Sequence, residues 1–239
     1  MRARMADFPF DVVGFDLDGT LLDTSGDLTA AVNHALANAG RPLLTVDEVR
    51  PMIGGGSRHM LAQGMAATGG CTEAELDLLQ RRLLDFYEAN IAVLTRPFEG
   101  AVEALDALAR RGVRLGIVTN KYERLAREVL GALGLLERFD AVIGGDTLGP
   151  GRAKPAPDPI LAMIDQCGGG TPQSSTLRGP RGGRTAFVGD TLYDIRAGAA
   201  AGAATVAVSF GFLQQPIDTL GADAVIDSYR ELTPTLERL

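Results

Sequence analysis

The run Phe10-Asp11-Val12-Val13-Gly14-Phe15-Asp16-Leu17-Asp18-Gly19-Thr20 does most to limit what this chain can fold into. An apolar stretch that ends abruptly in two carboxylates, a glycine and a hydroxyl predicts a buried strand that delivers its last polar residues to one end of a sheet. Residues two apart on a strand share a side, so Asp16 and Asp18 can present both carboxylates to one reacting centre. Gly19 then allows a sharp turn without a side-chain clash. An acidic turn with no chemistry has the same composition, and the rest of the chain has to decide between the two.

From Pro97 onward helical and strand patterns alternate. Helices are predicted over 98–111, 122–133, 158–166 and 192–201, with strands over 113–120, 141–144, 185–190 and 204–209 and a weaker one at 224–226. Such alternation predicts an α/β fold, a Rossmann-like parallel sheet with helices on both faces. The first strand belongs to that sheet, yet residues 21–96 separate it from the next α/β unit. One crossover needs only about a dozen residues, so the excess predicts a helical cap domain inserted after the first strand. Within it Leu28, Val32, Ala35 and Leu36 recur at helical spacing, and Thr45 and Thr72 stand where N-caps are expected. The expected domains are therefore 1–20 with 97–239 as the α/β core, and 21–96 as the cap. The Gly-, Ser- and Pro-rich stretch 168–183 reads as a surface loop.

A net charge of −7 with a pI near 4.9 gives no global attraction for nucleic acid or an anionic membrane, so neither is expected as a partner. Any anionic substrate must be held by local cations. Cys71 and Cys167 are too few for a disulfide framework or a Cys-rich zinc site, and no stretch suits a signal peptide or a membrane span; a cytoplasmic protein is expected. The sequence leaves monomer or homodimer open. Only Lys121 and Lys154 among the 23 basic residues are lysines, and a compact ammonium is not interchangeable with a guanidinium fork.

In open parallel sheets ligands sit beyond the carboxyl ends of the strands. That rule gathers Asp16, Asp18, Thr119, Asn120 and Asp190 at one edge, with Lys154 on the loop after a short strand. Oxygen-rich acidic groups suit a hard cation such as Mg²⁺, which takes one or two carboxylates, waters and substrate phosphate oxygens.

Asp16-Leu17-Asp18-Gly19-Thr20, Thr119-Asn120, Lys154-Pro155 and Gly189-Asp190-Thr191-Leu192-Tyr193-Asp194, in that order, resemble the four motifs of the haloacid dehalogenase superfamily. The inserted helices resemble its type 1 cap. The resemblance implies that Asp16 is a nucleophile forming an aspartyl-phosphate and that Asp18 protonates the leaving alkoxide, then activates water. It further implies that Thr119 and Lys154 complete the catalytic set, and that Gly19, Thr20 and Asn120 bind the phosphoryl group. Asp16, Asp18 through its carbonyl, and Asp190 would hold Mg²⁺, with Asp194 in support. The activity implied is hydrolysis of a small phosphorylated metabolite, 2-phosphoglycolate first. A sugar phosphomutase of the same superfamily, or a phosphate-sensing module without turnover, are the alternatives. Gly54-Gly55-Gly56-Ser57-Arg58-His59 reads either as a loop whose Arg58 binds a substrate carboxylate or as an interhelix turn with Arg58 and His59 in solvent.

Overall fold

The computed structural model describes residues 8–168 and 184–239, so the loop expected over 168–183 lies almost wholly outside the described residues. Strand β1 (Val12–Phe15) is buried throughout. One tight turn leads to β2 (Leu22–Asp23), which opens a helical insertion of α1 (Ser25–Asn38), α2 (Val46–Val49), α3 (Ser57–Ala67) and α4 (Glu73–Ala89). Thr45 and Thr72 cap α2 and α4 through reciprocal capping boxes with Glu48 and Glu75. Leu28, Val32, Leu36, Leu61, Met65, Leu79 and Leu83 fill a core between these helices that is separate from the cores beside the sheet.

The chain returns through β3 (Arg96–Pro97), which pairs antiparallel with β2. Two residues a side carry no readable period, which is why the sequence pattern does not predict this ribbon. Next come α5 (Ala101–Arg110), β4 (Arg114–Val118), α6 (Glu123–Ala132), β5 (Ala141–Ile143), α7 (Asp158–Gln166), β6 (Thr185–Gly189), α8 (Leu192–Ala200), β7 (Ala204–Val208), β8 (Ala224–Ile226) and α9 (Leu232–Leu236). The helix expected from Phe98 starts at Ala101, because Gly100 takes φ +80° and breaks the pattern ahead of it.

The six longer strands form one parallel sheet in the order β5-β4-β1-β6-β7-β8. Alternate strand residues serve opposite faces, as the pleat requires. Val13, Phe15, Leu115, Ile117 and Val188 pack with α5, α6 and α9. Val12, Val118 and Phe187 pack with α7 and α8. With β1 central, flanked by β4 and β6, its carboxyl end lies between two neighbours that also end in polar residues, and the site is built there.

Candidate active site

Asp16 follows β1 directly and its amide donates to Val188 O at 2.9 Å, so the sheet ladder fixes its backbone. Thr119 follows β4 and Asp190 follows β6, each one residue past its strand. Lys154 reaches in from the loop after β5. Its ammonium donates to Asp16 Oδ1 at 2.6 Å, Asp194 Oδ1 at 2.6 Å and Val118 O at 2.8 Å. Three acceptors satisfy the three donors of an ammonium, and the side chain is only 2% exposed. Asp194 is the third helical residue of α8, and its second oxygen accepts from the Thr191 amide and hydroxyl in a capping box. Helix capping therefore aims the carboxylate that holds Lys154.

Asp190 is fully buried; Thr20 Oγ1 donates to it at 3.1 Å and the Phe212 amide at 2.6 Å. Gly19 (φ +88°) lies against it, and a Cβ there would stand 2.3 Å from Asp190 Oδ2. Thr20 and Gly19, expected among the substrate-binding groups, thus pack around Asp190: Thr20 is wholly buried and its hydroxyl is committed to that carboxylate. Thr119 Oγ1 accepts from the Lys121 amide at 3.2 Å. Asn120 Nδ2 donates to Lys154 O at 3.2 Å and, across to the helical insertion, to Gly54 O at 2.9 Å. Arg58 stands apart. Its guanidinium is held by Glu73 and Asp77, and it lines a neighbouring open cleft rather than the cavity beside Asp18.

Oxygens of Asp16, Asp190 and Asp194 all lie within 4.8 Å of one another. Burial pushes the Asp16 carboxyl up to about 7, against the pull of Lys154 and with added repulsion from Asp194 and Asp18. Asp190 is pushed up by burial and by Asp194 and Asp16, while the Phe212 amide and Thr20 hydroxyl pull it down. For Lys154, burial acts to lower the ammonium, but Asp16 and Asp194 more than offset it and leave it at about 12. One ammonium among three buried carboxylates leaves surplus negative charge on an all-oxygen donor set. Such a set fits a hard divalent cation, with Asp16 and Asp190 as the direct candidates, since Asp194 already serves Lys154 and Thr191.

The Asp18 carboxylate lies outside that cluster. Its Oδ2 is 3.0 Å from Lys121 Nζ, which also sits 4.6 Å from the centre of the Tyr87 ring on α4. Neither partner is assigned by sequence reasoning. The scarcity of lysine marks Lys121, but nothing local links it to a tyrosine 34 residues earlier. Asp18, Lys121 and Tyr87 line a cavity of about 40 Å³ between the sheet edge and the insertion.

The family model for haloacid dehalogenase-like hydrolase matches residues 10–202. The chain belongs to this family. A phosphoglycolate phosphatase of Caulobacter vibrioides is 40% identical to it, over 92% of this chain and 88% of the relative. An N-acetylmuramic acid 6-phosphate phosphatase of Pseudomonas aeruginosa is 37% identical, over 94% and 93%. The crystal structure of a predicted phosphoglycolate phosphatase from Haemophilus somnus superposes with a TM-score of 0.83 at 28% identity, covering 95% of this chain and 98% of that one. With relatives of this kind the haloacid dehalogenase-like hydrolase described here is a phosphatase. No helix among the described residues is long and apolar enough to cross a membrane.

Proposed function

We propose that this phosphatase hydrolyses small phosphomonoesters through an aspartyl-phosphate on Asp16, that it needs Mg²⁺, and that 2-phosphoglycolate is its substrate. The observation that carries the reading is the pairing of a buried Asp16, held at 2.6 Å by Lys154, with Asp18 two residues on, facing a cavity of about 40 Å³. Mg²⁺ on Asp16, Asp190 and the Asp18 carbonyl would add positive charge beside the phosphoryl oxygens.

An oxygen of Asp16 attacks phosphorus while the bond to the ester oxygen breaks, and Asp18 gives that oxygen a proton. Water then attacks the same phosphorus, Asp18 takes a proton back, and the Asp16 carboxylate is released with inorganic phosphate. Lys154 orients Asp16, favours its ionised form before attack and stabilises negative charge as the phosphoryl group transfers. Asp194 holds Lys154 in place. Asp18 is the residue that separates this chemistry from storage of a phosphoryl group, since it can return the proton of water. The helical insertion, joined to the sheet edge through Asn120 and Gly54, acts as a cap that keeps bulk water from the acyl phosphate.

Relatives named phosphoglycolate phosphatase, up to 40% identical to this chain, support a short acidic leaving group. Purified protein with Mg²⁺, given a panel of phosphorylated metabolites that includes 2-phosphoglycolate and N-acetylmuramic acid 6-phosphate, tests the reading through phosphate release ranked by kcat/KM. The two-carbon acid is expected first. No phosphate from any ester ends the proposal, and the amino sugar at the head of the ranking ends the choice of substrate.

A further inference from the structure

Lys121 and Tyr87 have no part in the reaction as described. The Lys121 side chain is only 7% exposed, although it ends in a charge. The Asp18 partnership accounts for one of its three donors. Tyr87 is 2% exposed, and its hydroxyl has no hydrogen-bond partner; nor has the second oxygen of Asp18. Asp18, Lys121 and Tyr87 all line the same cavity. Polar atoms buried without partners are costly and rare, and their gathering around one space indicates a ligand that completes them.

We propose that Lys121 and the Tyr87 hydroxyl form the leaving-group specificity site, binding a carboxylate carried on the carbon next to the ester oxygen. The inference rests on the reading that Asp18 protonates that oxygen. An ester oxygen within about 3 Å of Asp18 Oδ2, itself 3.0 Å from Lys121 Nζ, lies at most about 6 Å from the ammonium. A carboxylate one carbon from the ester oxygen falls inside that gap, while one several carbons further along lies beyond it. An ammonium also suits the position better than a guanidinium, because a compact charge with three free-turning donors can serve Asp18 and a second carboxylate together. The Tyr87 hydroxyl supplies a neutral donor in the same cavity. Lys121 comes from the sheet edge after β4 and Tyr87 from α4 of the insertion, so the site exists only while α4 is packed over the sheet edge. It assigns to Lys121 and Tyr87 the substrate carboxylate that one reading of the sequence gives to Arg58.

Two esters measured side by side in Mg²⁺ test this: 2-phosphoglycolate, and ethyl phosphate, which keeps the two carbons and lacks the carboxylate. Each reaction uses Asp16, Asp18 and Lys154 alike, so general damage to the machinery cancels in the ratio of kcat/KM values. Wild type should prefer the acid. In Lys121→Met, whose side chain is unbranched and uncharged, the ratio should fall about a hundredfold, and in Tyr87→Phe about tenfold. A fall of less than tenfold in Lys121→Met overturns the proposal, as does a wild type without preference for the acid. If Lys121→Met does not fold, Tyr87→Phe decides alone, with a fall under threefold overturning it. Failure of wild type to hydrolyse either ester strikes at the proposed reaction and not at this site.

Discussion

Replacing Asp16 by asparagine should abolish turnover and make the metal-free protein more stable. Burial lifts the Asp16 carboxyl from its ordinary 3.8 up to about 7, with Lys154 opposing the shift and Asp194 and Asp18 adding to it. Over that window the folded chain holds a proton that the unfolded chain has released. Stability therefore falls as pH rises from about 4 to about 7, by about 1.4 kcal/mol per pH unit. The cost reaches about 4 kcal/mol near pH 7 and is absent below about pH 4. The Lys154 ion pair is already inside this balance, because the shift to about 7 is what remains with the ammonium in place. Asparagine keeps the shape and has no charge to bury, so it escapes the cost. At about 2–4 °C per kcal/mol for a chain of this length, Asp16→Asn should melt about 10 °C above wild type at neutral pH. Asp190 is also raised, in part by Asp16, so removing the Asp16 charge eases that shift as well and acts in the same direction. Urea unfolding in EDTA at about pH 5, 6, 7 and 8 checks the reasoning, with a gap that widens as pH rises. A variant less stable than wild type at about pH 8, or a gap independent of pH, would refute it. Adding Mg²⁺ should narrow or reverse the gap, because a cation binds the ionised carboxylate that only wild type has.

Lys154→Met removes the ammonium from between Asp16 and Asp194, both at 2.6 Å. Losing a nearby cation raises a carboxyl further, so the acid limb of kcat/KM against pH should move up by about one unit or more; an unmoved limb would show that Lys154 does not set the charge on Asp16. Gly116→Ala would place a Cβ 2.4 Å from Met163 Cγ, under α7. Overpacking of about 1–3 kcal/mol should lower the urea midpoint, and Met163→Ala in the same chain should recover part of it. Asn120→Ala breaks the link to Gly54 O at 2.9 Å; KM should rise several-fold, and an unchanged KM would show that this contact does not hold the cap down.

How much of this was legible in the sequence depended on whether the signal was local. The strand before Asp16 and the alternation after Pro97 were readable because each element carries its own period. Lys154 was placed at the right edge by the topology of parallel sheets, although its distance to Asp16 could not be known. Arg58 shows the limit. A cation after three glycines suggests an anion site, yet Glu73 and Asp77, four residues apart on α4, take up the guanidinium. Thr20 shows the same limit in miniature, since its partner Asp190 is 170 residues away. Lys121 follows β4 while Tyr87 lies on α4 of the helical insertion, and no spacing rule connects them. Asp194 stands with Asp16 and Asp190 in the carboxylate cluster, while the Asp18 side chain faces Lys121.

The turn after β1 ties the proton donor to the ribbon that carries the cap. Asp18 bridges to Leu22, the Gly19 amide donates to Leu22 O at 2.9 Å, and Leu22 and Asp23 pair with Pro97 and Arg96. A swing of the insertion about those few residues pulls on the peptide of Asp18, while Asp16 stays anchored in the ladder at Val188. In the proposed reaction such a movement would reach the proton donor and not the nucleophile. With the insertion displaced, the attacking group would stay intact while the proton donor lost its register, so that stray esters would be spared.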